Sequence, residues 1–263
     1  MTDWYKIKTL KKNISNISNQ DIKNIKSYKA FLLRDVGLNK IGELVIFAKK
    51  FGNVFKYGNK THITFKEISI ENEMHYDGIS STHKSKIPSY IFFYVEKINN
   101  INDKMKNKGE FKLLNSLEAV KDIPLNLLKN LKNKNLEFYG CPTFYKPNIK
   151  TNELSFKKKI IQNKKGQLNL RTHIISSRSA KITSDKKYVK SVEGWKVKIS
   201  DKTGQETLKI FKELSKKIFN KKNLWKIKLK KKDLLVVDNR FVFHGRNSVT
   251  IPSKRTIHRI QVL

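Results

Sequence analysis

In DLLVVDNRFVFHGRN, residues 233–247, an apolar run reaches a charged break and resumes as a second apolar run closing on His244, Gly245 and Arg246. Short β-branched and aromatic runs around an Asp-Asn-Arg break read as strand, turn, strand. His244 falls at the end of the second run, just before a glycine, where a side chain can face an open cavity. Taken alone, this histidine is a hydrogen-bonded strand residue as readily as a ligand. Its meaning depends on partners elsewhere in the chain.

EMHYDGISSTH, residues 73–83, supplies them. His75 and Asp77 are two apart, and residues i and i+2 of an extended strand project to the same side. Tyr76, between them, should point the other way into the core. By themselves His75 and Asp77 are a plain polar pair. With His244 they make two imidazoles and one carboxylate, which leave half a coordination sphere free, the facial arrangement of non-haem Fe(II) oxygenases. A zinc hydrolase would more often bring three histidines or a helical HExxH. His83 and His258 read as structural loop and strand residues, and His62 and His173 have no assignable role.

Arginine usage narrows the reading. Of 57 Lys+Arg only 7 are arginine, and 4 of those 7 fall in the last 24 residues, at 240, 246, 255 and 259. Where lysine fills nearly every other basic position, arginine marks sites that need a planar fork able to hold a carboxylate through two parallel hydrogen bonds. Arg255 follows His244 by 11 residues and could face the same cavity from the next strand. Arg259 is an even number of residues further on, so both would share one face, about 13 Å apart along the strand. Asn239 reads as a turn residue, and Arg246 fits either a surface ion pair or the cavity rim.

With these residues in place, the chain resembles the taurine dioxygenase/clavaminate synthase-like family of Fe(II)- and 2-oxoglutarate-dependent oxygenases. FLLRDVG and FAKKFGNV resemble its N-terminal strand and helix end, MHYDG its H-x-D pair, and KGEFKLLNSLEAVKDIP its Gly-Gly-containing segment. KKDLLVVDNRFVFHGR and KRTIHR resemble its closing strands. The resemblance implies a double-stranded β-helix (a jelly roll, cupin-like), mainly β with flanking helices. It implies His75, Asp77 and His244 as catalytic iron ligands, with Fe(II), 2-oxoglutarate and O2 as cofactors. It also implies Arg255 on the far carboxylate of 2-oxoglutarate and Arg259 toward substrate or cosubstrate. Phe111 stands where the family often has a threonine contacting 2-oxoglutarate, and Lys232 where it usually has glycine. HYDG followed by IPSYIFFYVEK is similar to a subgroup encoded beside isonitrile synthases, of the pyoverdine-chromophore or paerucumarin type. The implied activity is hydroxylation or desaturation of a small amino-acid-derived molecule, with release of succinate and CO2. Halogenation is disfavoured, because Asp77 fills the position where halogenases leave room for chloride.

Composition bounds the alternatives. The formal charge of +35 would normally suggest a polyanionic partner. Yet the lysines are scattered among asparagine and isoleucine, as in LKNLKNKNLEF, rather than interleaved with aromatics as on a stacking platform. This speaks against nucleic acid and for a small-molecule substrate. Two other classes stay open: an oxygenase acting on a nucleic-acid- or carrier-bound substrate, and a basic binding module without turnover. A single cysteine, Cys141, excludes an intrachain disulfide and suggests a reducing, cytoplasmic setting. The longest apolar run, YIFFYV at 90–95, is far too short to cross a bilayer.

No repeat or linker divides residues 1–263, so one domain is expected. DIKNIKSYKA and IGELVIFAKKFGN have helical character, and FLLRDVG, THITFKEISI and IPSYIFFYVEK read as strands. SLEAVKDIPLNLLKNLKNK reads as a helix interrupted by proline, and ETLKIFKELSKKIFN as an amphipathic helix. FYGCPTFY, LSFKKKIIQ and QLNLRTHIIS read as short strands, NNINDKMKNKG as a polar loop, and SSRSAKITSDKKYVKSVEG as a flexible one. Substrate choice is assigned to loops near 79–87 and 176–194.

Overall fold

The computed structural model describes residues 4–66, 72–77, 87–98, 109–139, 155–164, 166–172, 180–190, 196–247 and 255–263. Cys141, His83 and His173 lie outside these residues, as do nearly all of the first substrate loop, both ends of the second, the polar loop at 99–108 and the strand expected beyond Tyr139.

The chain runs through β1 (Tyr5–Thr9), α1 (Asn19–Ser27), β2 (Ala30–Arg34), α2 (Ile41–Lys49), β3 (Ile63–Lys66), β4 (Asn72–His75) and β5 (Tyr90–Ile98). β6 (Phe111–Asn115), α3 (Ser116–Ala119), α4 (Leu125–Lys132), β7 (Asn135–Tyr139), β8 (Ser155–Lys159), β9 (Ile161–Lys164) and β10 (Gln167–Leu170) follow. Then come β11 (Lys181–Ile182), β12 (Val189–Lys190), β13 (Lys196–Ile199), α5 (Gly204–Ile218), β14 (Leu224–Ile227), β15 (Leu234–Asp238), β16 (Val242–Arg246) and β17 (Arg255–Val262).

Two sheets form the jelly roll. The larger has the order β1-β2-β15-β5-β17-β3 and the smaller β14-β6-β16-β4. Strand alternation decides what each face meets. Ile91, Phe93 and Val95 of β5, Leu235 and Val237 of β15, and Ile257 of β17 pack inward with Phe111, Leu113 and Val242 of the smaller sheet. The intervening residues Phe92, Leu234, Val236 and Ile260 face outward, where Leu44 and Phe47 of α2 cover them. The central strands are therefore apolar on both faces, which is why they read as continuous hydrophobic runs. On the outer side of the smaller sheet, Leu114 and Phe243 join Phe211, Leu214 and Ile218 of α5 and Leu127 and Leu131 of α4. Pro124 separates α4 from a short 3₁₀ turn at Val120–Asp122, as the proline in the sequence required. No helix among the described residues is long and apolar enough to cross a membrane.

The stretch read as a flexible loop, 176–194, needs correction, since part of it is ordered. β11 and β12 pair antiparallel through Lys181↔Lys190 and Ile182↔Val189. The turn between them is built by side chains: Tyr188 N–H donates to Thr183 Oγ1, Lys187 N–H donates to Asp185 Oδ1, and Lys186 takes the left-handed conformation at φ 57°. Two-residue strands leave too little alternation for a sequence reading to detect. Lys232 also adopts a left-handed conformation, φ 64°, at the tight turn into β15, so the departure from glycine there is accommodated within the turn.

Candidate active site

β16 lies between β6 and β4, and its register sets His244 directly across from His75. The expectation that His244 ends its strand is corrected in detail: it is the central residue of β16, and Gly245 and Arg246 continue the ladder. β4 ends at His75, and Asp77 follows just beyond it, with both side chains buried. One ligand atom from each of His75, Asp77 and His244 lies within 4.8 Å of the others. His75 Nε2 is 3.5 Å, and His244 Nε2 3.6 Å, from Asp77 Oδ1, and the two imidazole rings are 4.5 Å apart. Tyr76 points away, as strand alternation requires, packing against Phe243 with the Arg171 guanidinium 3.5 Å from its ring centre.

The protonation states suit a cation. Burial alone would raise the Asp77 carboxyl, but the Arg259 charge and the two imidazoles beside it outweigh this and hold it well below the usual carboxylate range. Burial, then the neighbouring His75, lowers His244, which keeps it neutral despite Asp77. The Nδ1–H of His75 donates to the Glu73 carbonyl at 2.7 Å, which leaves Nε2 as the lone-pair nitrogen facing Asp77. Two neutral imidazoles and a charged carboxylate converging on one point form a donor set that fits a divalent metal such as Fe(II).

Both C-terminal arginines enter this interior from β17. Arg259 Nη1 lies 3.2 Å from Asp77 Oδ2, and Arg255 Nη1 donates to the Gly109 carbonyl at 3.0 Å. Arg246 is buried rather than on the surface, with 6% of its area exposed. Burial and then the nearby Arg255 lower its guanidinium to about 10.

Three supporting residues escaped the sequence reading. Asn239 does more than serve its turn: its side-chain oxygen accepts from the Asp77 N–H at 2.9 Å, while its amide donates to the Asp77 carbonyl at 3.0 Å and the Pro88 carbonyl at 2.7 Å. Gln261 donates to Asp77 Oδ2. It sits two residues beyond Arg259, and strand periodicity could have found it. Arg171 donates to the Asn239 and Arg240 carbonyls, bracing the same turn from behind. His258 and His62 take structural places, His258 between Thr64 and Glu96 and His62 against the His258 ring.

Comparison with known proteins bears on the family and the fold. The family model described as taurine catabolism dioxygenase TauD, TfdA family matches residues 8–261. No curated protein matches significantly. Among solved structures, PvcB of Pseudomonas aeruginosa is similar at TM-score 0.72 and 12% identity, over 98% of this chain and 85% of that one. PvcB is described as an Fe, alpha-ketoglutarate dependent oxygenase from an isonitrile synthetic pathway. A putative alpha-ketoglutarate dependent 2,4-D dioxygenase from Burkholderia xenovorans gives 0.64 at 14% identity, over 98% and 93% of the two chains. At such identities the likeness is one of fold, the jelly roll. The family model spans nearly the whole sequence, so the chain belongs to the TauD/TfdA family of Fe(II)- and 2-oxoglutarate-dependent dioxygenases.

Proposed function

We propose that the protein, acting as one cytoplasmic domain, hydroxylates or desaturates a small amino-acid-derived molecule, with an isonitrile amino acid as the leading candidate. The observation that carries this reading is the buried convergence of His75, Asp77 and His244. The likeness to PvcB, from an isonitrile pathway, points to the substrate class. Iron bound by the three side chains would supply the redox chemistry that couples 2-oxoglutarate decarboxylation, giving succinate and CO2, to oxidation of a substrate by O2.

The protein's own contribution is positioning and exclusion of water. Phe93 lies 5.4 Å from the His244 ring and 5.3 Å from Phe111, so the walls beside the ligands are aromatic and dry. Asn239 holds the Asp77 backbone from both sides. Arg255 offers its fork to the far carboxylate of 2-oxoglutarate. Arg259, engaged with Asp77, can turn toward a substrate carboxylate without leaving the interior.

A mass-spectrometric screen of amino acids and their isonitrile derivatives with Fe(II), 2-oxoglutarate and O2 tests the assignment. It should find a product shifted by one oxygen or by the loss of two hydrogens, formed together with succinate. Succinate formation with no amino-acid-derived substrate consumed would refute the substrate class.

The arginines divide their work. Arg255→Lys keeps charge but loses the fork, so the apparent KM for 2-oxoglutarate should rise about tenfold or more, equivalent to about 1.4 kcal/mol. Arg259→Lys should act mainly on the prime substrate or on coupling its oxidation to succinate release. Titrating 2-oxoglutarate against both variants checks this, and a larger defect in Arg259→Lys would reverse the assignment. The basic surface should bind random DNA weakly and lose that binding as salt rises through the physiological range, as a gel-shift series would show.

A further inference from the structure

Each metal-holding side chain has a sequence neighbour that points to the reverse of the smaller sheet. Tyr76 stands between His75 and Asp77, and Phe243 precedes His244; both belong to the apolar layer outside that sheet, their rings 5.5 Å apart. Arg171 reaches them there. Its guanidinium lies 3.5 Å from the centre of the Tyr76 ring, and one nitrogen, Nη1, donates to the Asn239 carbonyl at 3.1 Å and the Arg240 carbonyl at 2.9 Å. Asn239 is the residue whose side chain holds the Asp77 backbone. One buried cation, 6% exposed, therefore touches the ligand-bearing segment through Tyr76 and the clamp on that segment through Asn239.

The cation is itself firmly placed. The Arg171 backbone N–H donates to the Ile160 carbonyl at 2.6 Å, and two residues earlier the Asn169 amide donates to the Arg240 carbonyl at 3.0 Å. Ser116 Oγ donates to the Phe241 carbonyl at 2.7 Å, so the carbonyls of Asn239, Arg240 and Phe241, between β15 and β16, are all met by side chains from outside the sheet. Burying a charge is costly unless its donors are used. In a chain with only 7 arginines among 57 basic residues, arginine here answers a specific need. A planar guanidinium can lie over an aromatic ring while its edge donates to two carbonyls, and an ammonium cannot do both.

We propose that Arg171 is a positioning residue for the metal site, fixing from the reverse of the smaller sheet where His75 and Asp77 present their ligand atoms. It acts through Tyr76 and Asn239 and not by contact with metal or substrate. The proposal rests on the reading of His75, Asp77 and His244 as metal ligands and adds to it a residue from the outer layer of the fold.

The test measures the Mn(II) affinity of the full chain by electron paramagnetic resonance, beside its stability in urea. Arg171→Met removes the charge and the fork, and the folded variant should bind Mn(II) about tenfold to a hundredfold more weakly, as for other groups that orient ligands. Arg171→Lys keeps the charge without the fork and should fall between that variant and wild type. Leu131→Ala, on α4 of the same outer layer, removes buried apolar surface and no hydrogen bond. It should lose stability yet hold Mn(II) within about twofold of wild type. Wild-type Mn(II) affinity in folded Arg171→Met, or equal losses of affinity in Arg171→Met and Leu131→Ala, overturns the proposal, because Arg171 would then serve the fold alone. If Arg171→Met fails to fold, Arg171→Lys is read against Leu131→Ala in the same way, and wild-type affinity overturns the proposal equally. Wild-type protein that does not bind Mn(II) would instead overturn the reading of the metal site, and the positioning role with it.

Discussion

Replacement of His75, Asp77 or His244 by alanine is expected to abolish Fe(II) binding and succinate formation, and the three variants should differ in stability. His75→Ala gives up the hydrogen bond to the Glu73 carbonyl, but losing either imidazole leaves Asp77 paired with Arg259 and strands no buried charge, so His75→Ala and His244→Ala should keep the fold. Asp77 is another matter. The residue is 4% exposed, and its carboxylate pairs with Arg259 at 3.2 Å and accepts from Gln261. Removing one partner of a buried ion pair leaves the other charge uncompensated, at a cost of about 3–5 kcal/mol. Asp77→Ala should therefore lose both metal and stability, seen as a lowered melting temperature beside absent Mn(II) binding. Near-normal succinate production by any of the three would remove that residue from the ligand set.

Asn239→Leu should produce the next largest effect. This side chain has no measurable exposure and makes three hydrogen bonds to backbone groups of Asp77 and Pro88. Leucine matches its size but leaves one N–H and two carbonyls buried and unmatched, at about 1–3 kcal/mol each before relaxation. A loss of about 3 kcal/mol or more in urea denaturation is expected. Because the lost bonds locate Asp77 itself, metal affinity in the folded variant should fall about 10- to 100-fold, as for other groups that orient ligands. Asn239→Asp keeps the acceptor for the Asp77 N–H and should recover part of the affinity. Wild-type metal affinity in folded Asn239→Leu would show that the clamp supports only the fold.

What the sequence made readable follows from the range over which each interaction acts. His75 with Asp77, and His244 before Gly245, are local patterns, and the sparse arginines near the C-terminus stand out against a lysine background. Continuous apolar runs also marked β5 and β15, because both faces of these strands are buried. The Asn239 clamp joins residues 162 apart, and nothing near DNR distinguishes an asparagine that closes its own turn from one that reaches across the fold. Arg246 carried the same ambiguity: its burial depends on which strand covers it, and pairing with β6 decides that. The β11–β12 hairpin was missed for the opposite reason, since strands of two residues are held by turn chemistry and carry no periodic signal.

All three candidate metal-holding side chains belong to the smaller sheet or to the residues just after β4, whereas Arg255, Arg259 and Gln261 arrive on β17 of the larger sheet. The histidine pair is thus internal to one slab of backbone, with His75 and His244 opposite one another on adjacent strands, while Asp77 is held by Asn239 and by Arg259 and Gln261 of the other. Small separations of the two slabs, such as admitting a bulky molecule would require, leave the two imidazoles together while pulling on the carboxylate and changing how far the β17 guanidiniums reach. Room for the organic molecule and the grip on the ion are therefore coupled through this one aspartate.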